Sequence, residues 1–349
     1  MRCDRRKVVA AGLFAALVAL AGCAASEKST IEVVPAGPLV RGIAYVGQTV
    51  SDIEKATTYY QSAAALSVVD RKDLTDARAL QPIANRPVSV DTRLLRGANG
   101  QIRLMQFKSP SAAAKASGLV PVQGPGITHV CHQSPDDKGL FAKFVAAGAS
   151  PVSRTKELVQ LRPDVPVRYG YLRDADGTMA ETEQLMLPNL TWTYRMRHVA
   201  IVVADIDRTV AFYTALLGRE PRERRSNLVN PTLDLTADLD NVKLDVAWYN
   251  LNNLELEIWE YLNHPVTGPV TPRPVDALGY NMIVLDVSSA DLAAAKLVEA
   301  GGVLLAKATP MDGGRMAFGR DPDGNLIGLF EVSEESPYSA VKLGKLASG

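Results

Sequence analysis

The sequence predicts an α+β protein built from four βαβββ modules, whose strands form two curved mixed β-sheets with the helices outside. Three observations carry that expectation. Short apolar, partly β-branched runs of strand length recur at Ile43 to Val50, Ile127 to Gln133, Val199 to Val203 and Met282 to Val287. A helical pattern follows each run. After each helix come short strand-like segments broken by turn signals such as Asn99-Gly100, Asp176-Gly177, Asn252-Asn253 and Asp323-Gly324. One strand, one helix and then about three strands do not make a parallel doubly wound sheet; they make mixed or antiparallel ones.

Each helix has its own local warrant. The clearest one opens at Asp205, a good N-cap, and stops before Gly218, with Ile206, Val210, Tyr213 and Leu217 at the spacing of one buried face. The segment from Pro135 to Gly148 repeats the pattern with Leu140, Phe141, Phe144 and Val145. Leu292, Ala293, Leu297 and Ala300 lead into Gly301-Gly302, and the run from Asp52 to Ser67 is the fourth copy.

The chain has 349 residues, enough for about two domains. The repeats place the first at residues 38–190, holding modules one and two, and the second at 195–335, holding modules three and four. Hydrophobic residues make up 47% and charged ones 22%, which is globular usage. Lys plus Arg and Asp plus Glu are both 38, so no basic excess is available to neutralise a phosphate backbone, and nucleic acid is not an expected partner. Charge clusters such as Arg222 to Arg225 read as a solvated face. No P-loop, nucleophile elbow or dinucleotide fingerprint is present.

Residues 1–22 read as an export signal: Arg2, Arg5, Arg6 and Lys7, then an apolar stretch from Val8 to Ala21 that is too short to span a bilayer. Leu20-Ala21-Gly22-Cys23 resembles the lipobox of bacterial lipoproteins, and that resemblance implies lipidation of Cys23. With Ala24 and Ala25 behind it, the resemblance implies an anchor in the cell envelope, at the outer membrane facing the periplasm. Residues 23–37, small, polar and Pro-containing, read as a tether, and residues 336–349 as a loose tail. Only Cys131 of the three cysteines lies in the body, which excludes a disulfide framework.

The stretch from His198 to Asp205, continuing to Phe212-Tyr213 and Leu216-Leu217-Gly218, resembles the opening of a vicinal oxygen chelate module. Asp174-Ala175-Asp176-Gly177 and Asp321-Pro322-Asp323-Gly324 resemble the turn before such a module's last strand. This is the superfamily of glyoxalase I, extradiol dioxygenases, methylmalonyl-CoA epimerase and bleomycin-resistance proteins, and the resemblance covers residues 38 to 335. It implies one metal ligand on the first strand and one on the last strand of a module, with two modules closing around one ion.

Counted by the family spacing, the first-strand positions are Tyr45, His129, His198 and Met282 in modules one to four. The last-strand positions are Glu181 in module two, Glu257 in module three and Gly328 in module four, while Arg103 or Met105 points inward in module one. Modules two and three thus carry a two-His, two-Glu set, and modules one and four carry none. If modules one and two pair, the set is split into two half-sites; if two and three pair, one complete site stands beside a vacated one, which is the preferred arrangement. Glu183 shares a face with Glu181, and Glu255 with Glu257, so an error of two positions is open. His132 and His264 read as bystanders, and Cys131 as a small residue beside the site. Trp192, Tyr194, Trp248, Trp259 and Tyr261 read as core or as walls of an apolar pocket.

The implied cofactor is a divalent metal ion: Zn, Ni, Fe, Mn or Co. The implied chemistry is chelation of a small substrate through adjacent oxygens, stabilisation of an enediolate and proton transfer by Glu181 with Glu257 as its counterpart. The leading expectation is a glyoxalase- or epimerase-like lyase or isomerase. An extradiol ring-cleaving dioxygenase and a non-catalytic small-molecule-binding lipoprotein are the alternatives. A monomer suffices for a complete site; the oligomeric state is not legible.

Overall fold

The computed structural model describes residues 37–265 and 272–345. The expected signal, Cys23 and the tether up to residue 36 lie outside the described residues. Module one comprises β1 (Val40–Thr49), α1 (Ile53–Ala64), β2 (Ser67–Leu74), α2 (Gln81–Ala84), β3 (Val90–Arg96) and β4 (Gln101–Phe107). After α3 (Ala112–Ala116), module two runs through β5 (Gly126–Pro135), α4 (Leu140–Ala146), β6 (Ser150–Pro151), β7 (Val159–Arg162), β8 (Val165–Arg173) and β9 (Met179–Leu185). Module three has β10 (Arg195–Val202), α5 (Ile206–Leu217), β11 (Glu223–Val229), α6 (Pro231–Ala237), β12 (Lys243–Asn250) and β13 (Glu255–Tyr261). Module four has β14 (Gly279–Val287), α7 (Ala290–Glu299), β15 (Val303–Met311), β16 (Gly314–Arg320) and β17 (Leu326–Glu331).

Capping sets the helix ends. Asp52 and Asp205 are extended N-caps whose carboxylates accept from the first free amides of α1 and α5, and Ala65 and Gly218 end those helices in the left-handed region. The helix expected from Pro135 to Gly148 is shorter than its pattern. There β5 continues to Pro135, a single 3-10 turn spans Asp136–Lys138, and Gly139 at φ +60° separates it from α4.

The strands form an eight-stranded sheet, β15-β16-β17-β14-β1-β4-β3-β2, and a nine-stranded one, β11-β12-β13-β10-β5-β9-β8-β6 with β7 on β8. Within every module the first and last strands are parallel neighbours: β1 with β4, β5 with β9, β10 with β13, β14 with β17. Modules join through their first strands, antiparallel, β1 to β14 and β5 to β10. Modules two and three therefore share one sheet, and modules one and four the other.

Strand alternation divides the core. Val46, Ile201, Ile283 and their like pack with Phe144 of α4, Phe212 of α5 and Leu297 of α7 in one continuous cluster. On the opposite, inner face of the eight-stranded sheet, Tyr45, Leu94, Met282 and Phe318 pack with Leu80 and Ile83 at α2. On the inner face of the nine-stranded sheet, Tyr171, Val246 and Tyr261 pack with Leu233 and Ala237 of α6.

The tail expected to be loose is not loose over its described part. Tyr338, Ser339, Ala340 and Leu343 are buried, because Asp286 accepts from Ala340 N and Ser339 Oγ while the Tyr338 ring sits edge-on to Tyr45 and Phe330. No helix among the described residues is long and apolar enough to cross a membrane.

Candidate metal centre

The junction of β5 and β10 puts the inner modules' first strands side by side, with His129 opposite Ala200. On the parallel neighbours, His129 pairs with Met179 and His198 with Glu255, each two residues before Glu181 and Glu257 respectively. Side chains two apart on a strand share a face, so both His–Glu pairs project from the inner face by the same local rule. A pseudo-twofold relation between modules then brings all four together.

One atom from each of His129, Glu181, His198 and Glu257 lies within 4.8 Å of every other. The two Nε2 atoms are 3.2 Å apart; Glu181 Oε2 lies 3.3 Å from His129 Nε2 and 2.8 Å from His198 Nε2; Glu257 Oε2 lies 3.8 Å and 3.1 Å from the same atoms. Ligands held about 2 Å from one ion stand about 3 Å from each other, so these spacings fit a shared cation. All four residues are 5% exposed or less.

The surroundings orient the ligands. His129 Nδ1 donates to Thr128 Oγ1 at 3.2 Å and that hydroxyl donates to Ala200 O, which leaves Nε2 as the free lone pair. Trp248 Nε1 donates to Glu257 Oε1 at 2.5 Å, turning Oε2 toward the cluster, where no hydrogen bond satisfies it. A buried carboxylate oxygen without a donor is costly, and a cation removes that cost.

Charge makes the same case. Glu183 accepts from Gln133 and Arg197, and Glu255 is held by Arg197 and Arg222. Among the described residues Glu181 and Glu257 pair with no Lys or Arg, only with the two imidazoles. Two buried carboxylates without a fixed cation match a divalent ion. Burial disfavours the His198 cation, but Glu257 and Glu181 outweigh it and push that imidazole up to about 9. Burial would likewise raise the Glu181 carboxyl, but the His129 and His198 imidazoles beside it hold it below the usual carboxylate range.

The other candidates separate cleanly. Glu183 and Glu255 lie in the adjoining charged layer, outside the four-residue cluster. Cys131 lies beside Glu181 and Glu183, and burial with those carboxylates keeps its thiol protonated. His132 is buried on the helix side against Phe144, and His264 donates from an exposed loop to Asp240 O. In the eight-stranded sheet the equivalent positions hold no ligand set. Tyr45 and Asp312 take the buried Arg103 guanidinium, Met282 is core, and a Cβ on Gly328 would stand 2.9 Å from Met316 Sδ and Val284 Cγ2.

Arg197 is the charged neighbour of the cluster that the sequence pattern hides. It precedes His198 and by alternation belongs to the opposite face. A bulge between Met196 and Val199 turns it to the cluster's side, where it pairs with Glu183 and Glu255.

Residues 195–329 match the Glyoxalase/Bleomycin resistance protein/Dioxygenase superfamily. That match spans modules three and four. The chain's fold over most of its length is that of glyoxalase I from Zea mays, with a TM-score of 0.59 at 16% identity, covering 83% of this chain and 92% of that one. A putative dioxygenase from Bacillus subtilis subsp. subtilis str. 168 is similar too, with a TM-score of 0.57 at 10% identity over 88% of this chain and 91% of that one. Comparison with curated proteins finds no match.

Proposed function

We propose that this protein is an exported, lipid-anchored, metal-dependent lyase or isomerase of the glyoxalase or epimerase kind, acting on a small substrate held through adjacent oxygens. The single observation behind the metal-dependent reading is the convergence of His129, Glu181, His198 and Glu257 in one buried cluster, while export and anchoring rest on the lipobox resemblance of residues 20–23. His129, Glu181, His198 and Glu257 would hold a divalent ion, which would supply Lewis acidity to a substrate carbonyl. The two imidazoles orient, and the two carboxylates handle protons. Glu181 takes the proton from the carbon beside the carbonyl, and Glu257 is its counterpart on the other side of the pseudo-twofold axis. Tyr171, Val246 and Tyr261 line the same inner face and keep water from the reacting carbon.

The second carboxylate favours proton transfer over ring cleavage. A facial triad needs two imidazoles and one carboxylate. The fourth ligand here is a second buried base.

The test is proton exchange. Protein reconstituted with Zn, Ni, Fe, Mn or Co is incubated in deuterated water with α-hydroxyketones and 2-oxo acids, and exchange beside the carbonyl is followed by NMR. Metal-dependent exchange, lost in Glu181→Gln, is expected. A metal-loaded protein that holds such compounds without exchange or turnover would instead be a binding protein. The anchor is tested in the same cells: Cys23→Ser is expected to move the protein from the membrane fraction to the soluble one, and an unchanged distribution removes the lipid from the proposal.

A further inference from the structure

The chain's internal repetition supplies its own control. Helices α1 and α5 are both twelve residues long with an aspartate N-cap, so Lys55, Ala56, Tyr59 and Tyr60 stand where Arg208, Thr209, Phe212 and Tyr213 stand in the second half. The turns correspond as well. Asp174 Oδ1 accepts from the amides of Asp176 and Thr178, as Asp321 Oδ1 accepts from those of Asp323 and Asn325.

In the second half this turn is tied to its helix. Asp323 accepts from Arg208 Nη2 at 2.8 Å and from Thr209 Oγ1 at 2.5 Å. In the first half both donors are lost. Ala56 has none to give, and Lys55 pairs only with its own cap, Asp52, at 3.5 Å. Asp176 is left with Ser51.

Where the bridge is missing, a cavity of about 860 Å³ opens between α1, the end of α4 and the β8–β9 turn. It shares no lining residue with the metal cluster. Tyr59, which replaces Phe212, is among its lining residues and carries a hydroxyl that Phe212 lacks. That residue is 9% exposed, and its hydroxyl has no hydrogen-bond partner. Asp174 also lines the cavity; its Oδ2 accepts from Gln48 Nε2 at 3.0 Å, and no cation pairs with it among the described residues. Burial pushes its carboxyl up to about 6, a cost that a bound cation would relieve. Lys143 sits 5.8 Å over the Tyr194 ring, and Glu54 pairs with Arg93. The deep carboxylates are thus the unanswered charges, and Ala56, Ala147 and the Tyr59 ring supply apolar wall.

We propose that this cavity is a second small-molecule site, which takes an organic ammonium cation with an apolar body and recognises its N–H donors through Tyr59 Oη and Asp174. The volume is that of an ordinary ligand pocket.

Isothermal titration of the full chain with tryptamine, 4-phenylbutylamine and octylamine, against indole-3-propionate as the matched anion, tests it. At least one amine is expected to saturate at one per chain, about tenfold tighter than the anion. Tyr59→Phe is expected to weaken it by about three- to tenfold while the apo melting temperature stays equal or rises, because an unpartnered buried hydroxyl has been removed. The double substitution Lys55→Arg with Ala56→Thr, which copies the second half's bridge, is expected to weaken it by about tenfold or more. His198→Ala should leave it unchanged. The proposal is overturned if no amine saturates below about 1 mM, if both groove variants bind like wild type, or if His198→Ala abolishes binding.

Discussion

His132 lies on the same strand as His129, three residues on, and its fate is the opposite. Its ring stacks among Tyr60 and Phe144, its Nε2 has no partner, and burial lowers its pKa to about 3. An imidazole that protonates near 6.5 when unfolded and near 3 when folded binds its proton preferentially in the unfolded chain. Its stabilising contribution is complete above pH 6.5 and is lost as pH falls toward 3, by up to about 5 kcal/mol. Asp174 and Asp321, both pushed up to about 6 chiefly by burial, slope the other way between pH 4 and 6, so only a difference isolates His132. Urea unfolding of wild type and His132→Phe at pH 7 and pH 4.5 is expected to show a smaller acid loss in the variant; equal losses would sink the assignment. The four clustered residues were legible through the resemblance, whose spacing lands on His129, Glu181 and His198 and whose Glu-bearing strand aligns with Glu257. Arg197 was not, since a bulge leaves no mark on a period-two pattern.

Helices and turns are held by few but specific contacts. At the start of α5 the Asp323 side chain accepts from Ala204 N, Arg208 and Thr209, although it belongs to module four. Truncating it leaves Thr209 Oγ1 and Ala204 N without that acceptor in a site where Asp323 is 5% exposed. Asp323→Ala is expected to lower stability by about 2 to 4 kcal/mol. The matching change in the first half, Asp176→Ala, removes only exposed contacts to Ser51 and should lower it by about 1 kcal/mol or less. Equal losses in chemical denaturation would show that the halves are braced alike. Four modules and their long helices were legible from periodicity and caps. Helix α6 was not, being a seven-residue segment that starts at Pro231, inside a stretch read as strands; tertiary packing of Leu233 and Ala237 onto the inner face decides it. The buried end of the chain was hidden for the same reason, because Tyr338 is fixed by distant partners, Tyr45 and Phe330, that composition does not reveal.

At the scale of the whole molecule, sheet order decides whether the chain has two weak half-sites or one strong site. Had modules one and two shared a sheet, each His–Glu pair would face positions occupied by Tyr45 and Arg103 or by Met282 and Gly328. Because β5 pairs with β10, residues 129 and 181 meet residues 198 and 257 across the seam. A metal held by this cluster is expected at one ion per chain and to need both halves of the seam. His129→Ala and His198→Ala should each remove essentially all bound metal, whereas two independent half-sites would each lose only their own. Linkage gives a second readout: a ligand bound only by the folded chain stabilises it by about 4 kcal/mol when its free concentration is a thousand times its Kd. Adding metal is therefore expected to raise the wild-type melting temperature and to leave both variants where they were. If either variant retains stoichiometric metal, or still gains thermal stability from it, then the ion is not shared across the β5–β10 seam.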